Sequence, residues 1–482
     1  MKRDEFLKLG ATGLASGLIP RSFQQNSKNS PKVIRVSKTT PTLQVVVNPK
    51  LRRGSNIHDQ AFKALRDLGC DYVRYVPWLP YPKLAVAELK PPHNGKTSWD
   101  FSLIDPMTID FLEATKGHSV MLNFSTIPEW MFKTKKKVSY PKDPNKVDWN
   151  YEQGTKFKDP TMKQVANYYK RLFSWYTQGG FTDEYGNYHK SGYHYSIPYW
   201  EVLNEVDFEH NMSPKTYTRL YDEVVLALKE ISPSTKFAGM ALAKPGRSPD
   251  FFEYFLNHDN HKPGVPLDFI TYHFYAGAGK NEPKETWQYS FFRQADKFLD
   301  IVRYVEDIRK RLSPHTKTDI DEIGSINRYR PLPNFYWNLS GALYAYIFGN
   351  LSHIGIDVAG ESQLVGYPTQ FPSVSMLNWK TGAPNARYLV LKLIHKHFGP
   401  GDQIIQSNIH HANVYAYSVI GKDGKRRAML VNKKNKSATV SLPVRGKSME
   451  IVDQRNNKIN SQKLQGKKVT LNGFAVAVVM FS

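Results

Sequence analysis

The stretch YSIPYWEVLNE (195–205), followed by SPKTYTRLYDEVVLALKEI (213–231), decides the reading of this chain. Its first part is a short run of aromatic and β-branched residues. Its second repeats apolar residues at helical spacing. A buried strand that runs into a helix belongs to a parallel sheet, because parallel neighbours need a long crossover. The same unit recurs on both sides. Upstream, TLQVVVNP (42–49), DYVRYVP (71–77) and SVMLNFST (119–126) precede helical patterns over 56–69, 103–117 and 161–178. Downstream, KFAGMALA (236–243), LDFITYHFYA (267–276), KTDIDEIGS (317–325) and GIDVAGESQ (355–363) precede helical patterns over 249–258, 290–312, 335–351 and 385–398. Eight consecutive units predict a closed (β/α)8 TIM barrel over 41–399 rather than an open sheet.

From residue 400 the pattern changes. VYAYSVIGKDGKRRAMLVNKKNKSATVSLPV alternates apolar and polar residues around an Asp-Gly turn, and KVTLNGFAVAVVMF supplies a closing strand. That is antiparallel patterning, and it predicts a β-sandwich over 400–482. A strand near 32–39 is expected to join it. Residues 1–20, MKRDEFLKLGATGLASGLIP, place a charged start before a small-residue, weakly apolar stretch. This is the pattern of a signal peptide, so export to the periplasm or the exterior is expected. Residues 21–40 read as a polar linker with that candidate strand at its end.

The composition is that of a folded chain. Of 482 residues, 40% are hydrophobic and 13% aromatic, with 31 Gly and 30 Pro, which excludes disordered, collagenous and disulfide-scaffold classes. The single cysteine, Cys70, allows neither an intrachain disulfide nor a cysteine-built metal site. No apolar run is long enough for a transmembrane helix. Gly-rich phosphate loops, a Walker motif, a GxSxG elbow and histidines at zinc spacing are all missing, so no cofactor and no metal are expected.

Barrel active sites lie at the carboxyl ends of the strands. Here the fourth strand ends in Asn204 and Glu205, and the seventh in Asp321 and Glu322. Strands four and seven face each other across a barrel mouth. Two opposed carboxyls meet the needs of glycosidic cleavage, one protonated to donate to the leaving oxygen and one ionised to attack the anomeric carbon. One such glutamate alone reads better as a helix cap or a structural ion pair; two on opposed strands, one preceded by Asn, reverse that weighting.

The segments YWEVLNEVDF (199–208), YHFYA (272–276), DEIGS (321–325) and PNARYLVLKLIHKHFG (384–399) resemble clan A glycoside hydrolases. They are most similar to family 39, which includes β-xylosidases and α-L-iduronidases. The resemblance implies a retaining, metal-free glycosidase, with Glu205 as general acid/base and Glu322 as nucleophile. Asp321 is the rival nucleophile, and strand alternation turns it to the opposite side. The family's usual Asn-Glu-Pro is here Asn204-Glu205-Val206, and Leu203 stands where tryptophan is common. Neither replaced residue carries proton chemistry.

Supporting candidates follow from the same strand ends. Asn204 suits the sugar 2-hydroxyl. The Tyr275 hydroxyl is placed to keep Glu322 ionised, and His273 shares its side of the strand. Arg74 reads either as the cation beside Glu322 or as the partner of Glu201. Trp130 and Trp379 are candidate stacking platforms, each balanced by a packing role. Glu361, at the end of strand eight, is a candidate ligand for a substrate hydroxyl.

The net charge of +23 is unevenly placed. Lys133, Lys135, Lys136, Lys137, Lys142 and Lys146 face only Asp143 and Asp148 in the loop after strand three. Residues 400–482 hold 14 lysines and arginines against 4 acids. A basic loop beside a sugar site suits sulfated or uronic-acid glycans. The expected substrate is therefore an oligosaccharide from an anionic polysaccharide. The resemblance to family 39, with long loops over 78–102 and 127–160, implies trimming from its end, xylose being one candidate sugar. The alternatives are a non-catalytic glycan-binding barrel and an endo-acting or α-L-iduronidase-like enzyme of the same clan. A nucleic-acid binder, suggested by charge alone, is opposed by the export signal.

Overall fold

A computed structural model describes residues 32–134, 139–149, 156–327, 331–366, 372–455 and 458–481. The targeting segment 1–20 and Lys135, Lys136 and Lys137 lie outside the described residues. Eight parallel strands form a closed barrel: Thr40–Val46, Val73–Val76, Val120–Leu122, Tyr199–Val202, Lys236–Leu242, Phe269–Ala276, Lys317–Ser325 and Val358–Glu361. The eighth closes on the first, with Glu361 opposite Leu43. The helices that follow them are His58–Leu68, Asp105–Ala114, Lys163–Thr177, Pro214–Lys229, Pro249–Phe255, Trp287–Leu312, Tyr336–Ile354 and Ala386–His397. The fourth shows why the boundaries are sharp. The Ser213 side chain accepts from the Thr216 N–H, and Pro214 fills the first turn, where no N–H is needed.

The barrel interior is layered. Met121, Ala238, Phe269 and Val358, near the amino-terminal ends of their strands, form a small apolar cluster with Tyr72 and Tyr199 against it. Above them the interior turns polar, with Arg74, Glu201, Thr271, His273 and Asp321 all buried. A charged interior at one end only fixes where chemistry is possible.

Beyond the barrel lies a seven-stranded sheet in the order Val33–Val36, Gln403–Ile405, Val414–Ile420, Arg426–Asn432, Val476–Phe481, Gly446–Val452 and Asn460–Lys463. Its alternation splits the side chains between two faces. Tyr417, Met429, Val431 and Val478 join the barrel core, and Tyr417 meets Phe348 of the seventh helix. Leu430, Met449, Ile451 and Val479 face the other way, onto Val440 and Leu471 of the two-stranded ribbon Ala438–Ser441 and Lys468–Leu471. The second layer of the sandwich is thus only this ribbon. A further hairpin, Gly180–Thr182 with Tyr188–Lys190, was not legible in the sequence. Its strands are short and mostly polar, and its turn is held by Asp183 accepting from the Tyr185 and Asn187 N–H groups. Among the described residues, no helix is long and apolar enough to cross a membrane.

The fourth and fifth strands leave regular geometry where the site begins. Leu203, Glu205, Met240 and Ala241 all have positive φ, at 63°, 45°, 92° and 43°. Such backbone costs on the order of 1–3 kcal/mol per residue and persists only where the surroundings enforce it. Here side chains replace the lost ladder bonds. The Tyr217 hydroxyl accepts from the Met240 N–H at 2.8 Å and donates to the Val202 carbonyl at 2.9 Å. Thr271 Oγ1 accepts from the Ala241 N–H, and the Ala241 carbonyl accepts from the Glu205 N–H, each at 2.9 Å. Tyr217→Phe strands two buried backbone groups. Denaturant unfolding should show a loss of about 2 kcal/mol or more, with the far-UV spectrum of the native state unchanged.

Candidate active site

Arg74, on the second strand, is the hub of the polar interior. Its side chain is 1% exposed, yet every arm is engaged. Nε lies 2.6 Å from Glu201 and 2.9 Å from Asp321, Nη1 lies 2.7 Å from Glu322, and Nη2 donates to Asn204 Oδ1 at 2.7 Å. Both sequence readings of Arg74 therefore hold together. Burial opposes its charge, but Asp321, Glu201 and Glu322 hold it firmly protonated.

Strict alternation places Asp321 and Glu322 on opposite sides of their strand. The structure corrects this. Strand seven carries a bulge: Asp319 sits opposite Thr271 and Glu322 opposite His273, so three steps on one strand match two on the other. Both carboxylates then reach Arg74. The bulge needs Gly360 on the eighth strand, since a Cβ there would lie 2.9 Å from the Asp321 carbonyl oxygen. Of the pair, Glu322 lines the cavity described below and Asp321 does not. Burial raises the Asp321 carboxyl, but Arg74 and His273 outweigh it and hold it below the usual range.

Glu322 receives the Tyr275 hydroxyl on Oε2 at 2.6 Å as well as Arg74 on Oε1. Each of its oxygens thus accepts from a different strand. Glu205 has a different setting. Its side chain is 18% exposed against 7% for Glu322, and its one side-chain partner is His273 Nδ1 at 3.1 Å. Burial pushes its carboxyl up; His273 pulls it down and the charge of Glu322 adds to the rise, leaving it above the usual carboxylate range. His273 Nδ1 also lies 3.6 Å from Glu322, and Nε2 lies 3.5 Å from Asp321. Burial opposes its cation, but Glu322 and Asp321 hold it well above the ordinary histidine range. Oxygens of Glu205 and Glu322 and a nitrogen of His273 lie within 4.8 Å of one another, a spacing at which three donors can share a metal.

The cavity above these groups measures about 450 Å³. Trp78 and Trp149, from the loops after strands two and three, meet edge to face at 5.7 Å on one wall. Phe208 and Lys244 stand at another, with the Lys244 ammonium 4.0 Å from the ring centre. Gln44 and Gln363 complete the polar lining. None of these was singled out in the sequence. Trp78, Phe208, Lys244 and Gln363 all lie just beyond strand ends, so that rule reached their positions; Trp149, deep in a loop, carried no such signal.

Three sequence candidates lie elsewhere. Glu361 is fully buried and faces outward to Arg387 of the last barrel helix, Nε to Oε1 2.9 Å, so it cannot meet substrate. Trp130 donates its indole N–H to the Glu88 carbonyl and lines a separate cleft with Tyr185, Arg171 and Glu184. Trp379 lies in a shallow depression beside Trp337. Of the loop lysines, Lys133, Lys142 and Lys146 are exposed and none lines the catalytic cavity.

Comparison with known proteins follows the same lines. The model of glycosyl hydrolases family 39 matches residues 46–332. Compared by sequence with curated proteins, the chain matches none. Among solved structures it is similar to a family 51 arabinofuranosidase from Xanthomonas axonopodis pv. citri, at 13% identity and TM-score 0.62, covering 95% of this chain and 98% of that one. It is also similar to a glucosidase from Croceicoccus marinus, at 14% identity and TM-score 0.62, covering 93% and 97%. A family 30 endoxylanase from Clostridium papyrosolvens C71 aligns at 12% identity and TM-score 0.56, covering 93% and 97%. At such identities the likeness concerns the fold.

Glu88, in the Trp130 cleft, is 1% exposed with Oε1 unpartnered. Burial, joined by the charge of Glu184, pushes its carboxyl up to about 8. A raised carboxyl stabilises the fold fully below its unfolded value near 4.5 and loses that contribution as pH rises through about 8. Glu88→Gln removes the dependence. Wild type and variant should unfold at similar denaturant concentrations at pH 5, and the variant should be the more stable at pH 9.

Proposed function

Because the chain belongs to glycosyl hydrolases family 39 and is a glycoside hydrolase, we propose that it is a retaining, exo-acting enzyme of β-xylosidase type that trims anionic oligosaccharides. The observation that carries the reading is the pair Glu205 and Glu322, with carboxylate oxygens within 4.8 Å at the floor of one cavity. That closeness favours the retaining arrangement, in which carboxyls stand about 5–5.5 Å apart, over the inverting one, which leaves room for water at about 6.5–9.5 Å.

In the first step a Glu322 oxygen forms a bond to the anomeric carbon as the glycosidic C–O bond breaks. Glu205 delivers its proton to the departing oxygen, and the product alcohol leaves. In the second, Glu205, now ionised, takes a proton from water. The water oxygen bonds to the anomeric carbon, and Glu322 departs as carboxylate with Arg74 and Tyr275 on its two oxygens. The split environments suit the two roles: Glu322 has two strong donors, and Glu205 is desolvated beside like charge. His273 touches both carboxyls and keeps them in register through the proton cycle.

Exo action is supported by the bounded cavity, walled by Trp78 and Trp149. Preference for a charged glycan rests on Lys244. Among the described residues no carboxylate lies within ion-pair distance of its ammonium, and it stands at the cavity beside an exposed Phe208. A lysine is a compact point charge suited to sulfate or carboxylate. Export, on the strength of residues 1–20, is part of the same reading.

Glu322→Gln should reduce turnover of aryl glycosides by on the order of a thousandfold or more. Glu205→Ala should be slow on poor leaving groups and recover with azide, giving a glycosyl azide of retained configuration by NMR. An inverted product rejects the assignment. Lys244→Met should raise KM for sulfated or uronic-acid substrates and leave neutral aryl glycosides unchanged. The effect on charged substrates should shrink in high salt, where the Debye length falls to about 3 Å at 1 M. Equal loss on both classes removes the anionic preference and leaves the glycosidase standing.

A further inference from the structure

The turn after the catalytic strand holds a third glutamate. Glu209 lies four residues beyond Glu205, with its N–H donating to the Glu205 carbonyl at 2.7 Å. Its Oε1 accepts two hydrogen bonds, from Trp78 Nε1 at 2.5 Å and from Asn204 Nδ2 at 3.1 Å. Its Oε2 is buried and has no partner. The two oxygens therefore behave differently: one is a doubly served acceptor, the other is idle. An ionised carboxylate shares its charge over both oxygens and needs donors at both. A neutral acid is served at its carbonyl oxygen by those two donors and leaves one buried O–H without an acceptor, a smaller cost than an unpaired charge.

The surrounding charge balance points the same way. Glu201, Glu205, Glu209, Asp319, Asp321 and Glu322 crowd the polar end of the barrel against Arg74 and His273. Arg74 is already spent on Glu201, Asp321 and Glu322, and His273 on Glu205, Asp321 and Glu322. Among the described residues no cation lies within ion-pair distance of Glu209. An uncompensated buried carboxylate is far costlier than its acid form.

We propose that Glu209 is a positioning residue, held as the neutral acid, whose carbonyl oxygen fixes the Asn204 amide and the Trp78 indole on the catalytic cavity wall. Asn204 is thereby clamped at both ends: Oδ1 accepts from Arg74 Nη2, and Nδ2 donates to Glu209. The amide cannot flip without losing both bonds. It is the group that, on the reading above, meets the sugar 2-hydroxyl, and Trp78 is the adjoining wall, so one acid sets the orientation of two substrate contacts. Burial pushes its carboxyl well above the ordinary value, and the charge of Glu205 pushes the same way, which agrees with the geometry. Its neutrality has a further effect. An ionised Glu209 would add its charge to those of Glu322 and Asp207 and drive the Glu205 carboxyl higher still.

The proposal rests on the glycosidase reading for its catalytic consequence but not for its protonation state, and the tests are divided accordingly. In the full-length protein, the difference in tryptophan fluorescence between wild type and Trp78→Phe reports the indole bonded to Glu209. That difference signal should titrate with a midpoint well above the ordinary carboxylate range and lose its titration in Glu209→Gln. A midpoint within the ordinary carboxylate range overturns the neutral state, whether or not any glycoside is turned over. For catalysis, Glu209→Ala should lower kcat on an aryl glycoside by at least about tenfold. Glu209→Gln, which keeps a carbonyl acceptor without charge, should restore most of that loss and leave the alkaline limb of the pH profile in place. A glutamine variant as impaired as the alanine variant, or an alanine variant with wild-type kcat, overturns the positioning role.

Discussion

One guanidinium holds the catalytic end of this barrel together. Arg74 sits on the second strand and touches residues of the fourth and seventh, so three strands far apart in sequence converge on a single group. Burying a carboxylate costs several kcal/mol unless it is paired and hydrogen-bonded. Glu201, Asp321 and Glu322 are paired through this one residue. The planar fork lets Arg74 serve three carboxylates and one amide at once, which a lysine ammonium lacks the geometry to do. Its own rim of negative charge in turn keeps it protonated. The interior is therefore polar by necessity at one end and apolar at the other, where Met121, Ala238, Phe269 and Val358 pack without charge.

Around that hub the backbone departs from ideal strands at the places where chemistry is required. The bulge in strand seven turns both Asp321 and Glu322 to the hub, and Gly360 provides the space. Positive φ at Leu203 and Glu205 accompanies the turn of Glu205 off the strand and onto the cavity lining. Met240 and Ala241 bend to meet it, and Tyr217 and Thr271 supply the hydrogen bonds that the ladder gives up. Helix four thus has two tasks: it packs the barrel, and through one hydroxyl it stabilises the strained strand ends. Stability and site geometry depend on the same contacts.

The contrast between Glu205 and Glu322 arises from this scaffold rather than from the residues themselves. Both are glutamates at strand ends. Glu322 is met by Arg74 and Tyr275, whereas Glu205 has only a shared histidine and a partly apolar surround. The same residue type is therefore given two different surroundings, which is what the proposed acid and nucleophile roles require.

Much of this was legible before any coordinates. The alternation of apolar strands with helical periods, starting from YSIPYWEVLNE, specified a barrel, because only a parallel sheet accommodates that order and eight units close it. The strand-end rule then brought Glu205, Glu322, Asn204, His273, Tyr275 and Arg74 into one neighbourhood, since a residue's height in a barrel is encoded by its place along its strand. Tertiary structure decided the rest. Alternation misplaced Asp321, because a bulge depends on the neighbouring strand having a glycine in register. Glu361 obeyed alternation and so turned outward to Arg387. The aromatic walls came from Trp78, Trp149 and Phe208 rather than from Trp130 and Trp379, because loop paths are set by distant hydrogen bonds that leave no period in the chain. Sequence determines which elements form and which residues reach the barrel mouth, because those follow from local periodicity. Which groups touch, and which of several carboxyls keeps its proton, is settled only where separate strands meet, because charge and burial are properties of the assembled neighbourhood.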